Sequence, residues 1–268
     1  MGFGMTTVRN MRTEGTIGFF DSGLGGLSVW REVAERLPME RTVYLADNAH
    51  CPYGPQPPDR IIAYSRTNTE RLLGEGCKLI VVACNTATAA AIDTLRTAYP
   101  IPFIGMEPAV KPAALASKCH TIGVLATPGT VQGRLYRETS SRFAGNTRIL
   151  VRRVEGWVEA VERGETAVTD ATVALVRREI APLLEAGVDG LVLGCTHFPF
   201  LREVIRAVAG PDVTLYDPAE AIARRVEAVL SEKGLASQST PVGIARHRFL
   251  STAAYPPGHP LLAAFANG

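Results

Sequence analysis

This 268-residue sequence predicts an α/β fold made of two similar halves, each built on a mainly parallel sheet. Three observations lead there. Short apolar runs rich in branched residues alternate with helical patterns along the whole chain. The same landmarks recur in the same order: Thr16-Ile17-Gly18 and Thr121-Ile122-Gly123, then Cys84 and Cys195, then Glu107-Pro108-Ala109 and Asp217-Pro218-Ala219. Their spacing is nearly kept, with 67 residues from Ile17 to Cys84 and 73 from Ile122 to Cys195. Finally, the apolar runs that begin at Lys78 and Gly190 each end on one of these cysteines.

The elements follow in order. Thr16 to Phe20 reads as a strand ending on Asp21-Ser22, and Gly23, Gly25 and Gly26 make a tight turn into a helix from Leu27 to Arg36, which Pro38 ends. Val43 to Ala46 is a strand closing on Asp47. Four prolines and a glycine between Asn48 and Asp59 demand an irregular loop. A helix from Ile61 to Gly74 precedes the Cys84 strand and an Ala-rich helix from Ala87 to Ala98. Pro102 to Met106 is a strand and Val110 to Ser117 a helix. The second half opens with a strand at Thr121 to Ala126, then Thr127-Pro128-Gly129-Thr130 and a helix through Phe143. A strand at Ile149 to Val154, helices at Trp157 to Arg163 and Thr166 to Ala186, the Cys195 strand, a helix and a strand at Val213 to Tyr216 follow. A helix from Ala219 to Leu230 and an edge strand from His247 to Ser251 close the chain. These boundaries imply a first domain of residues 15–108 plus 222–268, a second of 109–221, and a flexible start at 1–14.

Composition narrows the function. The chain is 46% hydrophobic and 20% charged, ordinary for a globular protein with a large core. A net charge of +2 argues against a nucleic-acid or membrane partner. No apolar run approaches the roughly 20 residues that cross a bilayer. Lysine is scarce, 4 against 24 arginines, which leaves few candidates for a Schiff base. Five cysteines with no CxxC pair and no secretory signal point to reduced thiols in the cytoplasm. A metal is not expected: His50, Cys51, Cys195 and His197 lack diagnostic ligand spacing. The Gly23-Leu24-Gly25-Gly26 turn does not match a dinucleotide loop.

Ligands of parallel sheets sit beyond the carboxyl ends of the strands, so two strand ends that each deliver a cysteine define one shared cleft. A thiol at a helix N-terminus is expected to have a lowered pKa. One thiolate and one thiol on opposite sides of a carbon acid can remove a proton from one face and return one to the other, inverting the centre. Asp21 stands beside Cys84 and His197 beside Cys195 as modulators. Ser22, Asn85, Thr86, Thr127, Thr130 and Thr196 supply small polar groups, and helix N-termini favour carboxylates. A small, polar, anionic substrate suits this inventory. Cys77 and Cys119 read as structural, and Cys51 has no assigned role.

The chain resembles the aspartate/glutamate racemase family, and glutamate racemases in particular. The resemblance rests on Phe20-Asp21-Ser22-Gly23-Leu24-Gly25-Gly26, Pro52-Tyr53-Gly54-Pro55, Ala83-Cys84-Asn85-Thr86-Ala87, Thr127-Pro128-Gly129-Thr130 and Gly194-Cys195-Thr196-His197-Phe198-Pro199. It implies two Rossmann-like or flavodoxin-like domains related by pseudo-twofold symmetry, with the active site between them. It implies cofactor-independent interconversion of L- and D-glutamate for the cell-wall pathway. Cys84 and Cys195 become the two bases, assisted by Asp21, His197 and an acid of the second domain, with Tyr53 and Gly54 near the substrate and a homodimer as the assembly. The acid aligns best with Glu162 in Val154-Glu155-Gly156-Trp157-Val158-Glu159-Ala160-Val161-Glu162, where the family's usual Cys-Pro is missing and Glu155 and Glu159 compete. His197 favours glutamate over aspartate, since aspartate racemases of this pattern carry Glu there. A non-catalytic amino-acid-binding protein would not need the paired thiols.

Overall fold

In the computed structural model, described for residues 13–133, 137–138, 141, 147–238 and 246–265, nine strands form two sheets. The first half contributes β1 (Thr16–Asp21), β2 (Thr42–Ala46), β3 (Cys77–Val82) and β4 (Phe103–Gly105). The second contributes β5 (Thr121–Ala126), β6 (Arg148–Arg153), β7 (Gly190–Gly194) and β8 (Thr214–Tyr216). The last strand, β9 (His247–Ser251), returns to the first sheet. The strand orders are β4-β3-β1-β2-β9 and β6-β5-β7-β8, and every pairing is parallel. Read from the other edge, the second sheet is β8-β7-β5-β6, the order of β4-β3-β1-β2. The repeat seen in the landmarks is therefore a repeat of topology, and each half has the 2-1-3-4 order of flavodoxin-like sheets.

Helices cover both faces of each sheet because alternate strand residues are apolar on both sides. In the first sheet Ile17, Phe19, Leu79 and Val81 pack toward α1 (Leu27–Arg36) and α9 (Ala219–Glu232). Phe20, Val43, Ile80 and Val82 pack toward α2 (Pro58–Gly74) and α3 (Asn85–Ala98). In the second sheet Leu125, Leu191 and Leu193 face α6 (Trp157–Glu162), α7 (Asp170–Glu185) and α8 (Arg202–Ala209), while Ile122, Val124 and Val192 face α4 (Val110–Ala116).

Three helix starts differ from the sequence reading. Helix α2 begins at Pro58, three residues early, because proline suits the first helical position, where no N–H is needed. The helix after β3 begins at Asn85, two residues early, because Cys84 serves as its N-cap and its sulfur accepts the Ala87 N–H at 3.4 Å. Helix α7 begins at Asp170, four residues late, because Thr169 and Thr172 cap each other's backbone N–H groups. Of the expected helix through Phe143, the described part is α5 (Pro128–Val131) with scattered residues beyond, and most of the rest lies outside the described residues. The expected flexible start lies outside them up to position 12.

Candidate active site

In each sheet the chain leaves the central strand in opposite directions, and a crevice opens where β1 meets β3 and where β5 meets β7. β1 ends on Asp21, and Cys84 lies two residues past β3. β5 is followed by Thr127, and β7 by Cys195. Both thiols are nearly covered, 5% exposed for Cys84 and 7% for Cys195, and the charge of Cys195 is felt at Cys84.

On the second half, His197 joins Cys195 to Glu162. Its Nδ1 lies 3.7 Å from the Cys195 sulfur and its Nε2 is 2.7 Å from Glu162 Oε1. Burial alone depresses His197, but the hydrogen bonds to Cys195 and Glu162 outweigh it and hold the imidazole well above its ordinary pKa. Burial pushes Glu162 up, yet His197, the Leu24 N–H at 2.6 Å and the Tyr255 hydroxyl at 2.9 Å together keep it below the usual carboxylate range. Glu155 and Glu159 are exposed, so of the three acids in this stretch Glu162 is the one that reaches the thiol's partner.

The glycine turn after β1 permits this arrangement. A Cβ on Gly23 would overlap the Glu162 carboxylate, and one on Gly25 would overlap the His197 ring. One on Gly26 would come within 2.8 Å of the Tyr44 hydroxyl. These glycines let the backbone of the first half press against the acid and imidazole of the second, and Leu24 donates its N–H at the point of contact.

On the first half, Asp21 Oδ2 accepts the Gly26 N–H at 2.7 Å and the Thr196 hydroxyl at 3.4 Å. Its Oδ1 has no hydrogen-bond partner among the described residues. Burial raises the Asp21 pKa, and the charge of His197 opposes the rise. Cys84 departs from the expectation of a lowered pKa. Burial pushes its thiol well above the ordinary range and the charge of Asp21 adds to this, while the Ala87 N–H, the one helix-terminal donor it receives, acts the other way and is too weak to win.

Small polar groups lie where the two halves meet. The hydroxyls of Thr86, from α3, and Thr127 are 2.9 Å apart, and Thr130 lies 3.0 Å from Thr127. Gly54 packs on Thr127, and a Cβ on Gly129 would press on Thr86 at 2.7 Å. Asn85 is 4% exposed, and among the described residues neither its Oδ1 nor its Nδ2 has a hydrogen-bond partner. A buried carboxamide with both ends unmatched costs free energy and points to a ligand as its partner. Ser22 is buried beside Cys51.

Tyr53, expected near the substrate, turns its side chain inward. Its phenol is buried, donates to Asp47 Oδ2 and accepts from Asn68 at 3.2 Å, so any substrate contact there falls to the backbone. His50 also turns to Asp47, at 2.8 Å, and stacks on Tyr64. Cys51 instead lies beside the site: its sulfur, a Glu162 oxygen and a His197 nitrogen lie within 4.8 Å of one another. Residues the sequence reading missed are Leu24, Tyr255 and His259. Tyr255 and His259 follow the final edge strand and clasp Glu162, the first at its carboxylate and the second at its carbonyl, 3.0 Å away. No local motif marks them, because these contacts join positions 93 and 97 residues apart.

The family model for Asp/Glu/hydantoin racemases matches residues 24–226. The chain belongs to this racemase family. It is 47% identical over 220 residues to a glutamate racemase of Roseiflexus sp. (strain RS-1), covering 82% of this chain and 80% of the relative. It is 44% identical over 253 residues to one of Ralstonia nicotianae, covering 94% and 90%. Among solved structures, an Escherichia coli glutamate racemase in complex with L-glutamate and the activator UDP-MurNAc-Ala superposes with a TM-score of 0.82 at 32% identity, covering 94% of each chain. A Francisella tularensis glutamate racemase in complex with D-glutamate superposes at 0.79 with 27% identity, covering 96% of this chain and 95% of that one. As a member of the racemase family the chain is an isomerase, and its two parallel sheets are those of the family's solved structures.

Proposed function

We propose that this racemase interconverts L- and D-glutamate without a cofactor, by proton transfer between two thiols, and so supplies D-glutamate for peptidoglycan. The observation that carries the proposal is the pair Cys84 and Cys195 at equivalent strand ends of a repeated topology, each with its own ionisable partner. One cysteine, as thiolate, takes the α-proton, and the electron pair is left on the substrate as a planar carbanion. The other, as thiol, returns a proton from the opposite face, so the pair ends with its protons exchanged and nothing is oxidised or reduced. Asp21 sets the charge around Cys84, while His197, held by Glu162, serves Cys195. Ser22, Asn85, Thr86, Thr127, Thr130 and Thr196, with the Tyr53-Gly54 backbone, hold the substrate. The unmatched Asn85 amide supplies both a donor and an acceptor for an amino acid's charged groups.

This reading rests on two domains, residues 15–108 with 222–268 and residues 109–221, enclosing the substrate. A homodimer in the cytoplasm is part of the same proposal; light scattering of the purified protein tests the assembly. No helix among the described residues is long and apolar enough to cross a membrane.

The test is incubation with L-glutamate in deuterated water, following optical rotation and α-deuterium. Inversion with deuterium incorporation is expected. Absence of both sinks the proposal, and so does a Cys84→Ala or Cys195→Ala variant that keeps near-normal turnover. Aspartate run in parallel decides between substrates; His197 in the Gly-Cys-Thr-His motif favours glutamate.

A further inference from the structure

Cys51 is a thiol beside the site that the proton-transfer scheme leaves idle. It sits in the irregular loop after β2, partly exposed, on the side of the second half's machinery. Its sulfur, a carboxylate oxygen of Glu162 and a ring nitrogen of His197 lie mutually within 4.8 Å. Cys195 is a further sulfur, 3.7 Å from His197 Nδ1. His50, the histidine of this loop, is turned away to Asp47 and takes no part.

Thiolate, imidazole and carboxylate together form a borderline-soft donor set, the chemistry of zinc rather than of magnesium or calcium. Zinc bond lengths of about 2.0–2.3 Å put tetrahedral donor atoms roughly 3.3–3.8 Å apart. The three donors therefore need to draw in by about an ångström, which side-chain rotation of Cys51 and Glu162 supplies. Both are partly exposed, so the metal meets them before the buried His197.

We propose that Cys51, Glu162 and His197 form a reversible inhibitory site for Zn²⁺, with the fourth position open to water. Binding forms a bond from each donor to the metal, and it releases to solvent both the Cys51 thiol proton and the ring proton that His197 shares with Glu162. It breaks the hydrogen bond between His197 Nε2 and Glu162, so the imidazolium that serves Cys195 through Nδ1 is lost. The metal is not a cofactor here; its presence stops turnover. The inhibitory half rests on the reading of His197 as proton machinery, whereas the binding half does not.

Titration of the reduced protein with Co²⁺, in phosphine reductant and without chelator, tests the binding half through thiolate-to-cobalt charge-transfer absorption. Zn²⁺ is then measured by displacement. The expected result is one equivalent bound, with affinity lowered at least tenfold in Cys51→Ser and Cys51→Ala and unchanged in Cys84→Ser. Racemization without metal stays within about twofold in the Cys51 variants, wild-type activity falls on Zn²⁺ addition and returns with EDTA, and the Cys51 variants need at least tenfold more Zn²⁺. Absence of binding overturns the proposal. Unchanged affinity in both Cys51 variants also overturns it. Cys51-dependent binding that leaves turnover intact overturns the proton role of His197 and keeps the metal site.

Discussion

Replacing Glu162 by Gln removes one charge and little else. Gln keeps an oxygen for the Leu24 N–H and an amide that can meet the Tyr255 hydroxyl, so the packing of α6 against the glycine turn survives. What is lost is the charge-assisted hydrogen bond to His197 at 2.7 Å, inside a largely buried site. Such a bond contributes about 1.5–3 kcal/mol. If that stabilisation is realised in the transition state, kcat/KM falls about 10- to 150-fold. The two enantiomers have equal free energy, so kcat/KM must fall by the same factor in both directions, and only the division between kcat and KM is free to differ. Polarimetry from each enantiomer, across pH, measures this. His197 also loses a bond that favours its protonated form, so the limb it carries in the pH profile moves to lower pH. Exposed Glu159→Gln serves as the control and leaves rates within about twofold. A folded Glu162→Gln protein with kcat/KM within threefold of wild type and an unmoved limb refutes the relay from Glu162 through His197 to Cys195.

Other perturbations follow from the same geometry. Gly25→Ala drives a methyl into the His197 ring; overpacking of this kind costs about 1–3 kcal/mol, so both chemical-denaturation midpoint and turnover fall, whereas Gly187→Ala, where a Cβ meets nothing, is strained only by its positive φ and leaves turnover intact. Tyr255→Phe leaves Glu162 Oε2 without its hydroxyl donor and lowers kcat by up to about tenfold at a stability cost of about 1–3 kcal/mol, read by urea titration alongside initial rates. Asp21→Asn removes a negative charge that raises the Cys84 pKa, so the pH at which Cys84 becomes alkylated by iodoacetamide, followed by mass spectrometry of its peptide, falls; an unchanged or raised midpoint contradicts the assignment.

The features legible in the sequence are those carried by contiguous residues. The strand-cysteine-helix units were visible because a branched apolar run breaks into Cys-Asn-Thr or Cys-Thr-His within a few positions, and the repeat followed from their register. The β4-β3-β1-β2 order, matched in the second half, turned that register into equivalent crevices. The direction of the Cys84 pKa was not legible, since it depends first on burial and then on Asp21, brought near by β1–β3 pairing 63 positions away, which together outweigh the adjacent helix start. The choice of Glu162 over its two neighbours depends on how α6 packs, and the clasp of Tyr255 depends on β9 rejoining the first sheet. The glycine turn could be read as a turn, but not as the clearance for a carboxylate and an imidazole that arrive from the other half.

The matched strand orders bear on stereochemistry. A protein of L-residues cannot contain a mirror plane, so no arrangement of side chains treats the two hands of a substrate as reflections. Repetition of a fold supplies rotation instead. The planar carbanion between the enantiomers has two faces that a half-turn about an in-plane axis exchanges. Two equivalent strand ends thus approximate the symmetry of the fleeting species and of neither stable one, which is where complementarity lowers a barrier. The unlike companions of the two sulfurs, an aspartate on one side and an imidazole–carboxylate pair on the other, record how far each half has then drifted to meet its own hand.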